Sequence, residues 1–265
     1  MPIFSRPLII GHRGASAVAP ENTLAAFETA IESGADGIEF DVRLASDGVP
    51  VIIHDDTLTR TAGRPQKVDS LSAAELQRTN VGSWFSRALR LQPDPFFEQM
   101  VPTLQQLLDL FAENRAILYL EMKSEASRRV ELATACCALL QTNSFIDRTV
   151  VECFDLAAIQ IVKSIDPKIR TAALFEPRIS SPLSLRGSER LVDLAREVSA
   201  DEIALHHTLV KKRLVDKAHR DGLKVVVWTV DKPEWLSRAH HLSLDGLITN
   251  DPTRMVRLRN QLPPV

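Results

Sequence analysis

Gly37-Ile38-Glu39-Phe40-Asp41-Val42-Arg43-Leu44 is the stretch on which the fold turns. Alternate side chains of an extended strand share a face, so Glu39, Asp41 and Arg43 project to one side and Ile38, Phe40, Val42 and Leu44 to the other. Farther along, Ile117-Leu118-Tyr119-Leu120-Glu121-Met122-Lys123 repeats the device, an apolar run ending in Glu121 and Lys123 on one face. A solvated edge strand would explain one such segment. Two of them fit a buried parallel sheet better, because inward carboxylates are costly unless paired or bound to metal. Glu39, Asp41 and Glu121 are therefore expected to form a cage for one divalent ion that holds a phosphate. Carboxylate oxygens suit Mg²⁺ or Ca²⁺, whereas zinc would call for histidine or thiolate.

Outward from these two segments, short apolar runs alternate with amphipathic stretches. Strands are expected at 8–11, 37–44, 116–120, 149–153, 169–174, 202–205, 224–229 and 246–249. Helices are expected at 23–33, 103–112, 127–141, 156–165, 188–198, 210–221, 233–241 and 252–260. Eight strands each followed by a helix is the count of an α/β (β/α)₈ TIM barrel, although an open doubly wound sheet gives the same alternation. Pro20-Glu21-Asn22-Thr23 reads as a polar cap ahead of the first helix, and Ser33-Gly34 as its end. Pro233 and Pro252 fall at expected first helical positions.

Residues 45–102 exceed a βα loop, usually two to six residues long. Val49-Pro50-Val51-Ile52-Ile53-His54 reads as a short strand returning on the second one. A short helix over 72–78 and an aromatic, proline-rich stretch over 84–102 follow. The expectation is one domain over 1–265, with an insertion subdomain over roughly 57–101 at one end of the barrel.

With 265 residues, 45% hydrophobic and 25% charged, the chain can bury a large core. A formal charge of −2 excludes the broad basic surface of a non-specific nucleic-acid binder. Cys136, Cys137 and Cys153 offer no Cys-x-x-Cys, and adjacent Cys136 and Cys137 suit a disulfide poorly. No secretory signal series precedes Leu8-Ile9-Ile10, and no apolar run approaches a membrane span. A cytoplasmic protein without integral membrane association is expected; the oligomeric state is left open.

Gly11-His12-Arg13-Gly14-Ala15 follows the first strand, where barrel enzymes keep their active sites. His54-Asp55 ends the returning strand and supplies a second imidazole. Two histidines beside a metal and cations suit phosphodiester cleavage, one removing a proton from the attacking oxygen and the other giving one to the leaving alkoxide. His206-His207 and His240-His241 lack ligand spacing on a helix; His206 closes the sixth strand and is expected near the rim.

The chain resembles the glycerophosphodiester phosphodiesterase family over nearly its whole length. The resemblance is carried by His12-Arg13-Gly14-Ala15, Pro20-Glu21-Asn22-Thr23, Gly34-Ala35-Asp36-Gly37-Ile38-Glu39-Phe40-Asp41-Val42, His54-Asp55, Gly82-Ser83-Trp84-Phe85, Pro102-Thr103-Leu104, Glu121-Met122-Lys123 and Trp228-Thr229-Val230. It implies a distorted barrel that hydrolyses glycerophosphodiesters to glycerol 3-phosphate and an alcohol. It makes Glu39, Asp41 and Glu121 the metal ligands, His12 and His54 the general base and acid, and Arg13 and Lys123 the phosphate holders. Trp228 would pack on the glycerol moiety. Asp231 stands where the family usually has asparagine, and Asn250 where aspartate is common; Leu242-Ser243-Leu244 replaces a glycine-containing turn. These departures are not expected to touch the metal or proton-transfer residues, only alcohol selectivity. A lysophospholipase D with an apolar entrance built from Phe85, Phe96 and Phe97 is the alternative activity. A non-catalytic phosphate-ligand sensor would be expected to lack one of the histidines or carboxylates, all of which are present.

Overall fold

The computed structural model describes residues 6–123, 125–177 and 189–261. Its strands are β1 (Leu8–His12), β2 (Gly37–Leu44), β3 (Pro50–Ile52), β4 (Ile117–Met122), β5 (Thr149–Cys153), β6 (Arg170–Phe175), β7 (Glu202–His206), β8 (Lys224–Trp228) and β9 (Gly246–Thr249). All but β3 are parallel, and β1 pairs with both β2 and β9. Those two pairings close the ring into a (β/α)₈ barrel and dispose of the open-sheet alternative. The returning strand β3 runs antiparallel to β2, with Ile52 opposite Val42.

Helix α1 (Leu24–Glu32) follows β1. Thr23 caps it, its side chain accepting from the Ala26 N–H at 3.3 Å, and Ser33 closes it ahead of a left-handed Gly34. Within the long excursion after β3 lie three short helices, α2 (Thr59–Ala62), α3 (Ala73–Leu76) and α4 (Ser83–Leu89). The barrel alternation then resumes with α5 (Leu104–Leu110), α6 (Arg129–Thr142), α7 (Leu156–Ile165), α8 (Arg190–Glu197), α9 (Lys212–Arg220), α10 (Glu234–Leu242) and α11 (Pro252–Gln261). Ser188, the expected start of α8, lies outside the described residues. Pro252 opens α11 as expected, whereas Pro233 sits one position earlier, as the cap of α10. Either position suits a residue with no N–H to satisfy.

Strand parity divides the core into two layers. Ile38, Phe40 and Val42 of β2 face outward and pack with Phe27, Leu104 and Phe111 beneath the helices. Ile10, Tyr119, Val150, Ala172, Ala204, Val226 and Ile248 fill the barrel interior. Gly37 shares the inward parity; a Cβ there would fall 2.3 Å from the Ile117 carbonyl oxygen, so glycine lets β2 and β4 approach. At the barrel floor the Tyr119 hydroxyl donates to Glu202 Oε2 at 2.9 Å, and Arg170 stands 3.8 Å from the other carboxylate oxygen.

The excursion carries a small apolar cluster of its own, including Val51, Ile53, Leu58, Val68 and Leu76. Phe85 is buried there, edge to face with Trp84 and Phe96, while Phe97 stays 59% exposed. Cys136, Cys137 and Cys153 are free and buried. No described helix is long and apolar enough to cross a membrane.

Candidate active site

The first loop of the barrel is a left-handed turn. Arg13 has φ +53° and Gly14 φ +82°, while Asn22 at φ +58° donates its N–H to the Arg13 carbonyl. Left-handed non-glycine residues are held in place only by their surroundings, and they concentrate at functional sites. Here the turn aims the Arg13 N–H at Glu39 Oε2, 2.9 Å away. The guanidinium lies 3.0 Å from Asp41 Oδ2 through Nε and donates to Glu21 at 2.8 Å. Asn22 Nδ2 donates to the same Asp41 oxygen at 2.7 Å.

Glu39, Asp41 and Glu121 all point into the barrel and are buried. Parallel register sets Glu121 beside Asp41, and in β5 it sets Glu152 beside Glu121. One oxygen each of Glu39, Glu121 and Glu152 lie within 4.8 Å of one another. Asp41 is differently engaged: besides Arg13 and Asn22, Lys123 Nζ stands 3.2 Å from its Oδ1 and 2.5 Å from Glu121 Oε1. Against the cost of burial, Arg13 and Lys123 hold the Asp41 carboxyl well below the usual range. Burial, with Asp41 and Glu121 nearby, pushes Glu39 up strongly; burial and Asp41 push Glu121 up to about 7.

The histidines reach the same cavity from β1 and from the segment after β3. His12 Nδ1 lies 2.6 Å from Asn250 Oδ1, and Asn250 Nδ2 donates to Asp231 Oδ2 at 2.8 Å. Because Asn250 offers His12 an oxygen, Nδ1 carries the hydrogen and Nε2 its lone pair, 3.9 Å from Glu39. Burial, then Arg13, lowers its pKa to about 4. His54 Nδ1 lies 2.7 Å from Asp55 Oδ1; burial lowers its pKa too, opposed in part by Asp41 and then by Asp55. Arg43, next after Asp41 on the inward face of β2, donates through Nε to the His54 carbonyl at 2.8 Å.

The contact between His12 and Asn250 overturns one expectation. Asp231 and Asn250 are expected to bear only on alcohol selectivity, yet they bond to each other and Asn250 bonds to His12, one of the two histidines expected to transfer protons. Strand closure is the reason, since β1 and β9 are neighbours in the ring. Sequence reading also missed three further participants. Glu21 and Asn22 lay inside a motif that reads as a helix cap. Glu152 lay in a run that reads as apolar, although its parity with Val150 and Phe154 carried the same signal as Glu39.

These groups line a cavity of about 290 Å³ with His12, Arg13, Glu39, His54, Glu121, Lys123, Glu152, Phe154, Glu176 and Trp228 at its walls. Trp228 ends β8 edge to face with Phe154 and with His206, at ring separations of 5.6 and 5.1 Å. His206 is thus at the rim, while His240 and His241 are exposed on α10.

Two imidazoles, a carboxylate cluster and two cations thus meet at the C-terminal ends of a closed barrel. Over 253 residues the chain is 28% identical to the glycerophosphodiester phosphodiesterase of Caldanaerobacter subterraneus subsp. tengcongensis, covering 96% of this chain and 98% of that protein. Its structure matches an Oleispira antarctica phosphodiesterase solved with the product sn-glycerol-3-phosphate, at TM-score 0.83 and 25% identity, covering 96% of this chain and 97% of that one. A glycerophosphodiester phosphodiesterase from Agrobacterium tumefaciens matches at TM-score 0.76 and 26% identity, over 95% and 99% of the two chains. Residues 12–254 match the model of a single family, and the chain therefore belongs to the glycerophosphoryl diester phosphodiesterase family.

Proposed function

We propose that this site hydrolyses glycerophosphodiesters to glycerol 3-phosphate and an alcohol with one divalent ion, Mg²⁺ or Ca²⁺, held by Glu39, Asp41 and Glu121. The observation that carries the reading is the meeting of both imidazoles with the carboxylates and cations around one cavity. The residues suit such an ion: every donor is a carboxylate oxygen, oxygens of Glu39 and Glu121 lie within 4.8 Å of each other, and Glu39 Oε1 is buried without a hydrogen-bond partner. Asp41, register-paired with Glu121, would join them by giving up its contacts to Arg13 and Lys123 as those cations turn to the phosphate. When bound, the ion supplies charge to a phosphate oxygen in the transition state. Arg13 and Lys123, already among the carboxylates, hold the remaining phosphate charge.

Each imidazole has its Nδ1 tied, His12 to Asn250 and His54 to Asp55, which leaves Nε2 for substrate. One accepts the proton of the attacking hydroxyl, from water or from the glycerol 2-position. The other returns a proton to the departing alkoxide. Trp228 gives the glycerol carbons an apolar face beside Phe154. The relative solved with sn-glycerol-3-phosphate supports this product. Residues 57–101 form an insertion subdomain at the mouth, tied to it by Arg60, which bonds Asp55 and Glu21. Of the three phenylalanines that an apolar entrance would need, Phe85 is buried, Phe96 half-buried and Phe97 exposed; one exposed ring offers an acyl chain little cover, which favours a small glycerophosphodiester over a lysophospholipid. Three free cysteines support a reducing, cytoplasmic setting, and the charge of −2 a small-molecule substrate rather than nucleic acid.

The test is release of glycerol 3-phosphate from a panel of glycerophosphodiesters, with and without chelator. His12→Ala and His54→Ala should each lower turnover by about 10²–10⁴-fold without lowering the melting temperature. Near-normal turnover in either variant would remove that histidine from the mechanism.

A further inference from the structure

Glu152 is the carboxylate to which the reading above gives no role. It is 1% exposed, and its Oε2 is buried with no hydrogen-bond partner. Among the described residues no hydrogen bond or ion pair reaches its side chain. Glu202 shows what a structural glutamate looks like in this barrel: equally buried, it accepts from the Tyr119 hydroxyl and faces Arg170. Glu152 has no such partners. It is also register-paired with Glu121, and like charges opposite one another across strands repel. A buried, unpartnered carboxyl facing a second one calls for a cation between them.

The geometry provides for one. Oxygens of Glu39, Glu121 and Glu152 fall within 4.8 Å of each other, and two oxygens on one calcium ion can stand up to about 5 Å apart. We infer that Glu152 is a further ligand of the divalent ion and that, with it, the site is built for Ca²⁺ in preference to Mg²⁺. The inference rests on the metal-dependent reading above. Mg²⁺ demands near-octahedral geometry, keeps several waters and usually takes one or two carboxylates; Ca²⁺ takes six to eight oxygens in flexible, often bidentate arrangements. Glu39, Glu121 and Glu152 together offer oxygens on the calcium scale, from strand ends whose spacing the barrel fixes, with Asp41 beside Glu121 in register.

Calorimetric titration of chelator-stripped protein with Ca²⁺ and with Mg²⁺ tests this without any turnover measurement. Wild type should bind Ca²⁺ at least about tenfold more tightly than Mg²⁺. Glu152→Gln should weaken Ca²⁺ binding by at least about tenfold and narrow the preference, as should Glu152→Asp, which keeps the charge but withdraws the oxygens. Glu202→Gln should leave Ca²⁺ binding unchanged. Without metal, Glu152→Gln should melt no lower than wild type, and Ca²⁺ should raise its melting temperature less. Wild-type Ca²⁺ affinity in both Glu152 variants would overturn the ligand assignment while leaving the metal reading standing. A metal-free Glu152→Gln protein that melts far below wild type, or fails to fold, would overturn it by showing a structural role. A wild-type preference for Mg²⁺ would overturn the calcium selectivity. Binding of neither ion by wild type would overturn the metal-dependent reading itself.

Discussion

His12 meets an amide where a carboxylate would have made it more basic. Asn250 Oδ1 lies against its Nδ1, and the nearest acid on that side, Asp231, is one hydrogen bond farther out. Exchanging the two residues, Asp231→Asn with Asn250→Asp, would bring the negative charge to the imidazole and favour its protonated form. If His12 works as the base, it must be neutral. The low-pH limb of kcat/KM should then move to higher pH by about one unit, which a pH–rate profile of the double variant would show. An unmoved limb would mean that His12 does not set it. At this scale the sequence was legible where one strand sufficed. Period-two spacing grouped Glu39 with Asp41, and Glu121 with Lys123. Asn250, Glu21 and Asn22 were hidden because their partners come from ring closure and from a left-handed turn, neither of which leaves a period in the chain.

The short helix α2 joins the excursion to the chemistry. Its Arg60 bonds Asp55 Oδ2 at 2.7 Å and both Glu21 oxygens at 2.8 and 2.7 Å. Asp55 in turn holds His54, and Glu21 holds Arg13. One guanidinium thus aligns two residues of the proposed mechanism, His54 and Arg13. The side chain is 41% exposed, so its ion pairs contribute little to stability. Alignment is another matter, because small displacements of reacting groups are costly. Arg60→Ala should lower kcat on the order of tenfold with a melting temperature close to wild type. Arg60→Lys should recover only part of the loss, since an ammonium cannot span two carboxylates as a planar fork does. Steady-state kinetics with thermal melts would check both; a fall in melting temperature matching the loss of kcat would make the role structural. The barrel strands and outer helices were readable from their periodicities, with ends displaced by a residue or two. Helices α2 and α4 were not, being too short to complete a hydrophobic pattern.

For the molecule as a whole, the clustered acids set a pH window. Folding raises the pKa of Glu121 to about 7 and those of Glu39 and Glu152 well above the usual range, burial being the main cause. A carboxyl raised on folding binds more protons folded than unfolded, so stability falls as pH climbs from the unfolded pKa, about 4.3, through the folded one. Asp41 and Asp55 are lowered, Asp55 to about 2, despite burial; Arg13 and Lys123 act on the first, Arg60 and His54 on the second. Their contribution is present above the unfolded pKa, about 3.9, and is lost as pH falls through the folded values. Burial lowers His12, to about 4, and His54 as well, so their contribution is likewise lost as pH falls below the unfolded value of about 6.5. With three acids raised against two imidazoles lowered, metal-free protein should melt highest in mildly acidic buffer and lower at pH 8, and a saturating divalent ion should flatten the alkaline fall. Melting curves in chelator from pH 3 to 9 test this; a maximum at alkaline pH would contradict it. Alternation of strands and helices made a barrel readable at this scale. Closure was not, because it depends on pairing the first strand with the last.

That pairing has a consequence for the newborn chain. A polypeptide still emerging from the ribosome, finished only through β8, already possesses both imidazoles, every acid of the cluster and both cations. It lacks Asn250, so one imidazole has no anchor, and β1 has no neighbour on its open flank. The catalyst should consequently stay silent until its closing segment docks.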